Sequence, residues 1–145
     1  AQDWRVRVWG LWHDVQSPAL RAAIQKGQRT GAEMAKITAG AKLSLNILRE
    51  QNEGSHNMRT YETPGCGGVL ASQFSPEQDA AFPGGEAAVY FTKPEDIAPA
   101  LAPYIADPGR LAAMRAAART RVARETYLDR ARSLADALAD MRGSA

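Results

Sequence analysis

Lys42-Leu-Ser-Leu-Asn-Ile-Leu48, then Arg49-Glu-Gln-Asn-Glu-Gly-Ser-His-Asn57, then Met58-Arg-Thr-Tyr-Glu62 and Thr63-Pro-Gly-Cys-Gly-Gly68, is the run whose reading decides the fold. Its opening leucines and isoleucine are dense enough for a strand covered on both faces, as a parallel sheet requires. A polar loop rich in small residues follows, and then a short helix carrying Asn57, Arg59 and Glu62. Gly65, Gly67 and Gly68 end that helix and let the next strand begin close to it. Gly68-Val-Leu-Ala-Ser72 and Ala87-Ala-Val-Tyr-Phe91 read as two more buried strands.

Working outward, Ser75-Pro-Glu-Gln78 has a serine N-cap, proline in the first turn and glutamine three residues on, the signature of a helix start. Thr92-Lys-Pro-Glu95 repeats that logic before a helix from Asp96 to Asp107, which Pro99 and Pro103 are expected to bend or split. Asp107-Pro108 opens a long helix to about Glu125. Thr126 with Asp129 caps a last helix carrying Leu128, Leu134, Leu138 and Met141. Upstream, Arg5-Val-Arg-Val-Trp-Gly10 alternates like a strand, and Trp4, Trp9 and Trp12 read as core or interface anchors. Pro18 to Lys26 reads as a short helix, Gly27 to Gly31 as a break, and Ala32 to Ala41 as a second helix with Met34 and Ile37 on one side. Strands alternating with helices at this rhythm predict an α/β fold. The sheet should be parallel, doubly wound and Rossmann-like, in three layers with the C-terminal helices laid over it.

With 145 residues and 45% hydrophobic content, the expectation is a single domain over residues 1–145. Eighteen basic residues against sixteen acidic ones leave a net charge of +2, which argues against nucleic acid or an anionic membrane as partner. Seven arginines between Arg110 and Arg132 come diluted with Asp107, Glu125 and Asp129 and without an aromatic stripe, so they read as a solvated helix face. Cys66 has no second cysteine to pair with, no apolar run has the length of a transmembrane segment, and no leader marks export; a reducing, cytoplasmic setting is the expectation.

A loop outside the carboxyl end of a parallel strand is where open α/β sheets bind ligands. Gly54 allows close backbone approach there, and Ser55, His56 and Asn57 offer donors. Helix-start N–H groups favour an anion, and an acidic residue farther along can accept from ribose hydroxyls, so the segment suits a phosphorylated ligand. The bland alternative is that Ser55 or Asn57 caps a helix and that Arg59 and Glu62, at i and i+3, pair with each other. His13, His56 and Cys66 have no metal-ligand spacing, no Asp-x-Asp occurs, and no Gly-x-Gly-x-x-Gly follows a strand.

The order Lys42 to Arg49, Gly54-Ser-His-Asn-Met-Arg-Thr-Tyr-Glu62 and Pro64-Gly-Cys-Gly-Gly68 resembles the carboxy-terminal domain of group 1 glycosyltransferases, and more narrowly the CgeB-like spore-maturation branch. Gly85 to Phe91, the helix after Pro94, Asp107-Pro108 and the arginine-rich helix follow the same order. The resemblance implies a GT-B fold, in which two Rossmann-like domains face each other and the second holds a nucleoside-diphosphate sugar. The enzyme is expected to move the sugar to an acceptor with retention, without a cofactor or metal. Carried over by position, Glu62 matches the second of the family's paired glutamates and contacts the donor ribose. Glu53 is the nearest match to the first, the catalytic position, but its separation from Glu62 is one residue too long, which on a helix turns a side chain by about 100°. Gly54, Ser55, His56 and Asn57 then line the diphosphate, with Arg59 beside it. An amino-terminal acceptor domain and the first βα unit have no counterpart, so the resemblance implies a fragment with little turnover. Its sheet edge would need cover from its missing domain or from a homodimer. A non-catalytic Rossmann-like assembly module is the alternative.

Overall fold

The structure, a computed structural model, describes residues 3–52 and 54–143. Three parallel strands, β1 (Ser44–Asn46), β2 (Leu70–Gln73) and β3 (Ala88–Phe91), form one sheet in the order β1-β2-β3. The register pairs Ser44 with Leu70 and Asn46 with Ser72, then Leu70 with Ala88 and Gln73 with Phe91. Two helices, α1 (Pro18–Ala23) and α2 (Gly31–Gly40), precede the sheet; α3 (Arg59–Gly65) connects β1 to β2, and α4 (Pro76–Ala81) connects β2 to β3. After β3 come α5 (Ile97–Ala106), α6 (Pro108–Val122) and α7 (Tyr127–Gly143).

The core is built on alternation along the central strand. Val69 and Ala71, with Val89, pack against Leu101, Tyr104, Leu111 and Met114 of α5 and α6. Leu70 and Ala88 point the other way, to Phe82 after α4 and Ala118 of α6, with Tyr61 of α3 alongside. One face of the parallel sheet is thus covered by α3/α4 and the other by α5, while α6 contributes to both clusters, giving the three layers expected of a Rossmann-like domain. Burial also fixes the Tyr90 phenol, which donates to the carbonyl of Phe82 at 2.9 Å; desolvation, then Asp79, pushes its pKa far up.

Several expected elements differ. Arg5 to Gly10 is not a strand of the sheet: Val8 makes one isolated parallel bridge to Ile24. Trp4 is half-buried against the core, whereas Trp12 stands 49% exposed. Strand β1 is shorter than Lys42 to Leu48 and lies at the sheet edge, with Leu45 and Ile47 each 55% exposed, so it is not covered on both faces. Strand order follows sequence order, without the reversal of a doubly wound sheet among the described strands. Helix α5 is not split: Pro99 falls in its first turn, where the missing N–H had no acceptor to lose, and Pro103 is carried inside. Thr126 and Asp129 do cap α7, and the Thr126 hydroxyl and N–H hold the Asp129 carboxyl below its usual range. Leu128, Leu134, Leu138 and Met141 nevertheless face solvent, so α6 rather than α7 lies on the sheet.

Candidate functional site

A crevice of about 340 Å³ opens where all three strands end. Leu48 and Arg49 follow β1, Gln73 and Phe74 close β2, Thr92 follows β3, and Gly54 borders the same space. A wider depression of about 610 Å³ lies at the other end of the sheet, between Lys42, Cys66, Gly67 and α6. There the Arg115 guanidinium is committed to the carbonyls of Ala39, Gly67 and Ala41 at 2.6–3.0 Å, and Lys42 Nζ to that of Ile105 at 2.8 Å. These cations tie backbone together, and Arg115 is therefore not part of a solvated helix face. Parallel sheets bind ligands at strand carboxyl ends, so the smaller crevice is the candidate.

Beneath the loop beside this crevice runs a buried polar chain. Asn46, at the end of β1 and 7% exposed, donates to the Ser72 hydroxyl at 3.1 Å and accepts from Asn57 Nδ2 at 3.0 Å. Gln78, fully buried on α4, accepts from Thr60 at 2.9 Å and Ser72 at 3.1 Å, and donates to the Gln73 carbonyl at 3.0 Å and to Ser75 Oγ at 3.2 Å. Both acceptor sites and both N–H bonds of that amide are satisfied, the condition under which a buried polar group adds rigidity rather than cost.

Gly54 turns the chain at φ +76° with open space around it, a conformation glycine adopts freely. Ser55 donates to the Glu77 carboxylate, and its own carbonyl accepts from Ser75. His56 Nδ1 lies 3.1 Å from the other Glu77 oxygen and is buried without a hydrogen bond among the described residues, while its ring meets Tyr61 edge-on at 5.3 Å. The Ser55 hydrogen bond first, then the His56 contact, holds Glu77 below the usual carboxylate range. Asn57, just before the Met58 N-cap of α3, closes a turn with its Oδ1 accepting from the Arg59 N–H at 3.0 Å, so its side-chain amide is committed on both sides. The N–H groups of His56, Asn57 and Met58 have no partner among the described residues.

Arg59 and Glu62 pair at 3.1 Å, both partly exposed, with Arg59 also against Met34 of α2. Glu62 belongs to the first turn of α3. Glu53, the proposed catalytic position, lies outside the described residues. The structure therefore gathers Gly54, Ser55, His56 and Asn57 in one loop and sets Arg59 with Glu62 on the helix that follows.

The model of a glycosyl transferase-like family matches residues 1–136. The chain belongs to that family. No curated protein matches it. For a glycosyl transferase-like chain, sugar transfer is the general activity, and no helix among the described residues is long and apolar enough to cross a membrane. Asn46, Ser72, Ser75, Glu77 and Gln78 are the members of this candidate site that sequence reasoning did not single out as site residues. Asn46 was detectable as the one amide in an aliphatic strand, whereas Ser75 and Gln78 read only as a helix start.

Proposed function

We propose that this chain is the donor-binding domain of a GT-B glycosyltransferase of the CgeB-like, group 1 type. It would hold a nucleoside-diphosphate sugar for transfer to an acceptor with retention. The observation that carries the reading is the loop Gly54–Asn57. It leaves β1 at the carboxyl end, borders the crevice common to the strands and is braced from below, in a chain of the glycosyl transferase-like family. In this reading the N–H groups of His56, Asn57 and Met58, without a partner among the described residues, meet the diphosphate, and Gly54 lets it come close. Asn57 shapes the loop instead of contacting donor through its amide.

Arg59 and Glu62 hold each other in an exposed pair worth only a few tenths of a kcal/mol, so exchange for ligand is cheap. Arg59 turns to the diphosphate, and the released Glu62 accepts from ribose hydroxyls. Glu53 stands for the sugar contact by position. Stabilising the departing diphosphate is the chemical task, and each lost donor to such a charge typically costs about 3 kcal/mol. A reducing cytoplasmic location is proposed from the single cysteine, Cys66.

The test is titration with UDP, GDP, ADP and TDP, read by backbone NMR shifts in the wild type and in Glu62→Ala. Saturable shifts centred on Gly54 to Glu62, lost in the variant, support donor binding; no response at millimolar ligand overturns it. A second reading, an assembly module, draws on the exposed Leu45 and Ile47 at the β1 edge. Wild-type-like behaviour of Glu62→Ala together with concentration-dependent homodimer formation would favour it.

A further inference from the structure

The contacts that fix the loop come from the first turn of α4. Ser75 donates to the Ser55 carbonyl, Ser55 donates to one oxygen of Glu77, and His56 Nδ1 lies 3.1 Å from the other. One carboxylate thus spans two consecutive loop residues. The turn that carries it is itself immobilised, because the next residue, Gln78, is fully buried and bound to α3 through Thr60 and to β2 through Ser72. Glu77, by contrast, stays half exposed, so its side chain contributes little to the core.

We propose that Glu77 is a positioning residue for the donor loop, binding the Ser55 hydroxyl and contacting His56 so that the N–H groups of His56, Asn57 and Met58, which have no partner among the described residues, keep one geometry. This rests on the reading of that loop as the donor site. With the hydroxyl of Ser55 and the Nδ1 edge of His56 turned to Glu77, these residues serve a ligand through backbone geometry rather than through their side chains. A loop whose donors are already ordered loses less entropy when a ligand arrives, and that lowered cost appears as affinity.

The test compares Glu77→Ala and Glu77→Gln in the full chain. Backbone 15N order parameters are measured without ligand, and affinity is measured with UDP, GDP, ADP and TDP. In Glu77→Ala, order parameters across Gly54–Asn57 fall from about 0.85 toward about 0.6 while β2 and β3 keep wild-type values, and affinity for the nucleotide that binds falls about tenfold. Glu77→Gln keeps an acceptor for Ser55 and recovers most of both losses. Unchanged loop order parameters in Glu77→Ala overturn the proposal, as does a loosened loop with wild-type affinity. Should the wild type bind none of the four nucleotides, the donor-site reading fails and takes the proposal with it; wild-type nucleotide binding with an unchanged loop instead places the failure at Glu77 alone.

Discussion

Asn57 Nδ2 donates to Asn46 Oδ1 at 3.0 Å, which ties the candidate loop directly to the end of strand β1. Because Asn46 also donates to Ser72 on β2, one buried amide links loop, edge strand and central strand. Asn46→Ala leaves the Asn57 amide and the Ser72 hydroxyl without this partner. The expected cost is about 2 kcal/mol, the usual penalty for orphaning a buried polar group. Denaturant unfolding should report it, with the largest shift changes in the native spectrum at Asn57 and Arg59.

Gln78→Glu is nearly the same shape but reverses one half of the hydrogen-bonding pattern. The amide nitrogen that faces the Gln73 carbonyl at 3.0 Å becomes a carboxylate oxygen, and two acceptors then oppose each other in a site with no exposure. A destabilisation of about 3 kcal/mol at neutral pH is expected. Burial raises the pKa of the introduced carboxyl above its unfolded value, so the penalty is present above the folded pKa and shrinks as pH falls through it. Stability measured from pH 8 to 5 should therefore rise relative to wild type; a flat difference would mean that the carboxylate is solvated.

Gly68 sits where α3 hands over to β2. A Cβ built there would lie 2.6 Å from Thr38 Cγ2, 3.0 Å from the Thr38 carbonyl and 3.1 Å from Thr63 Cγ2. The backbone oxygen of α2 cannot swing aside as a side-chain end can, so Gly68→Ala has to push α2 away from the junction of α3 and β2. About 2–3 kcal/mol of destabilisation is expected, measurable as a fall in Tm. Gly65→Ala meets nothing within 4 Å and is the matched control.

The three-layer α/β architecture was legible because β2 and β3 are buried on both faces, and continuous apolar runs report that directly. The same logic overextended β1, since Leu45 and Ile47 have the composition of a covered strand but lie at an edge that no described element covers. Arg5 to Gly10 misled for a related reason: alternation identifies a chain able to pair, not one that has a neighbour to pair with. Within the site, the loop residues stood out by type and spacing. Glu77 and Gln78 did not, because their roles depend on α4 folding back beside Ser55 and Thr60, a long-range contact that no local pattern encodes.

The lowered pKa of Glu77 gives the loop a pH dependence of definite sign. Its carboxylate is stabilised in the folded chain by Ser55 first and His56 second, so the folded pKa lies below the unfolded one. Such a group stabilises the native state fully above its unfolded pKa, and the contribution disappears as pH falls through the folded value. The contact from Glu77 to the loop should thus be intact at neutral pH and be lost only on the acid side of the ordinary carboxylate range. Backbone shifts of Ser55 and His56 followed from pH 7 to 3 should share one such transition, and Glu77→Gln should remove it. A transition that persists in Glu77→Gln would assign the titration to another group and separate the loop from this carboxylate.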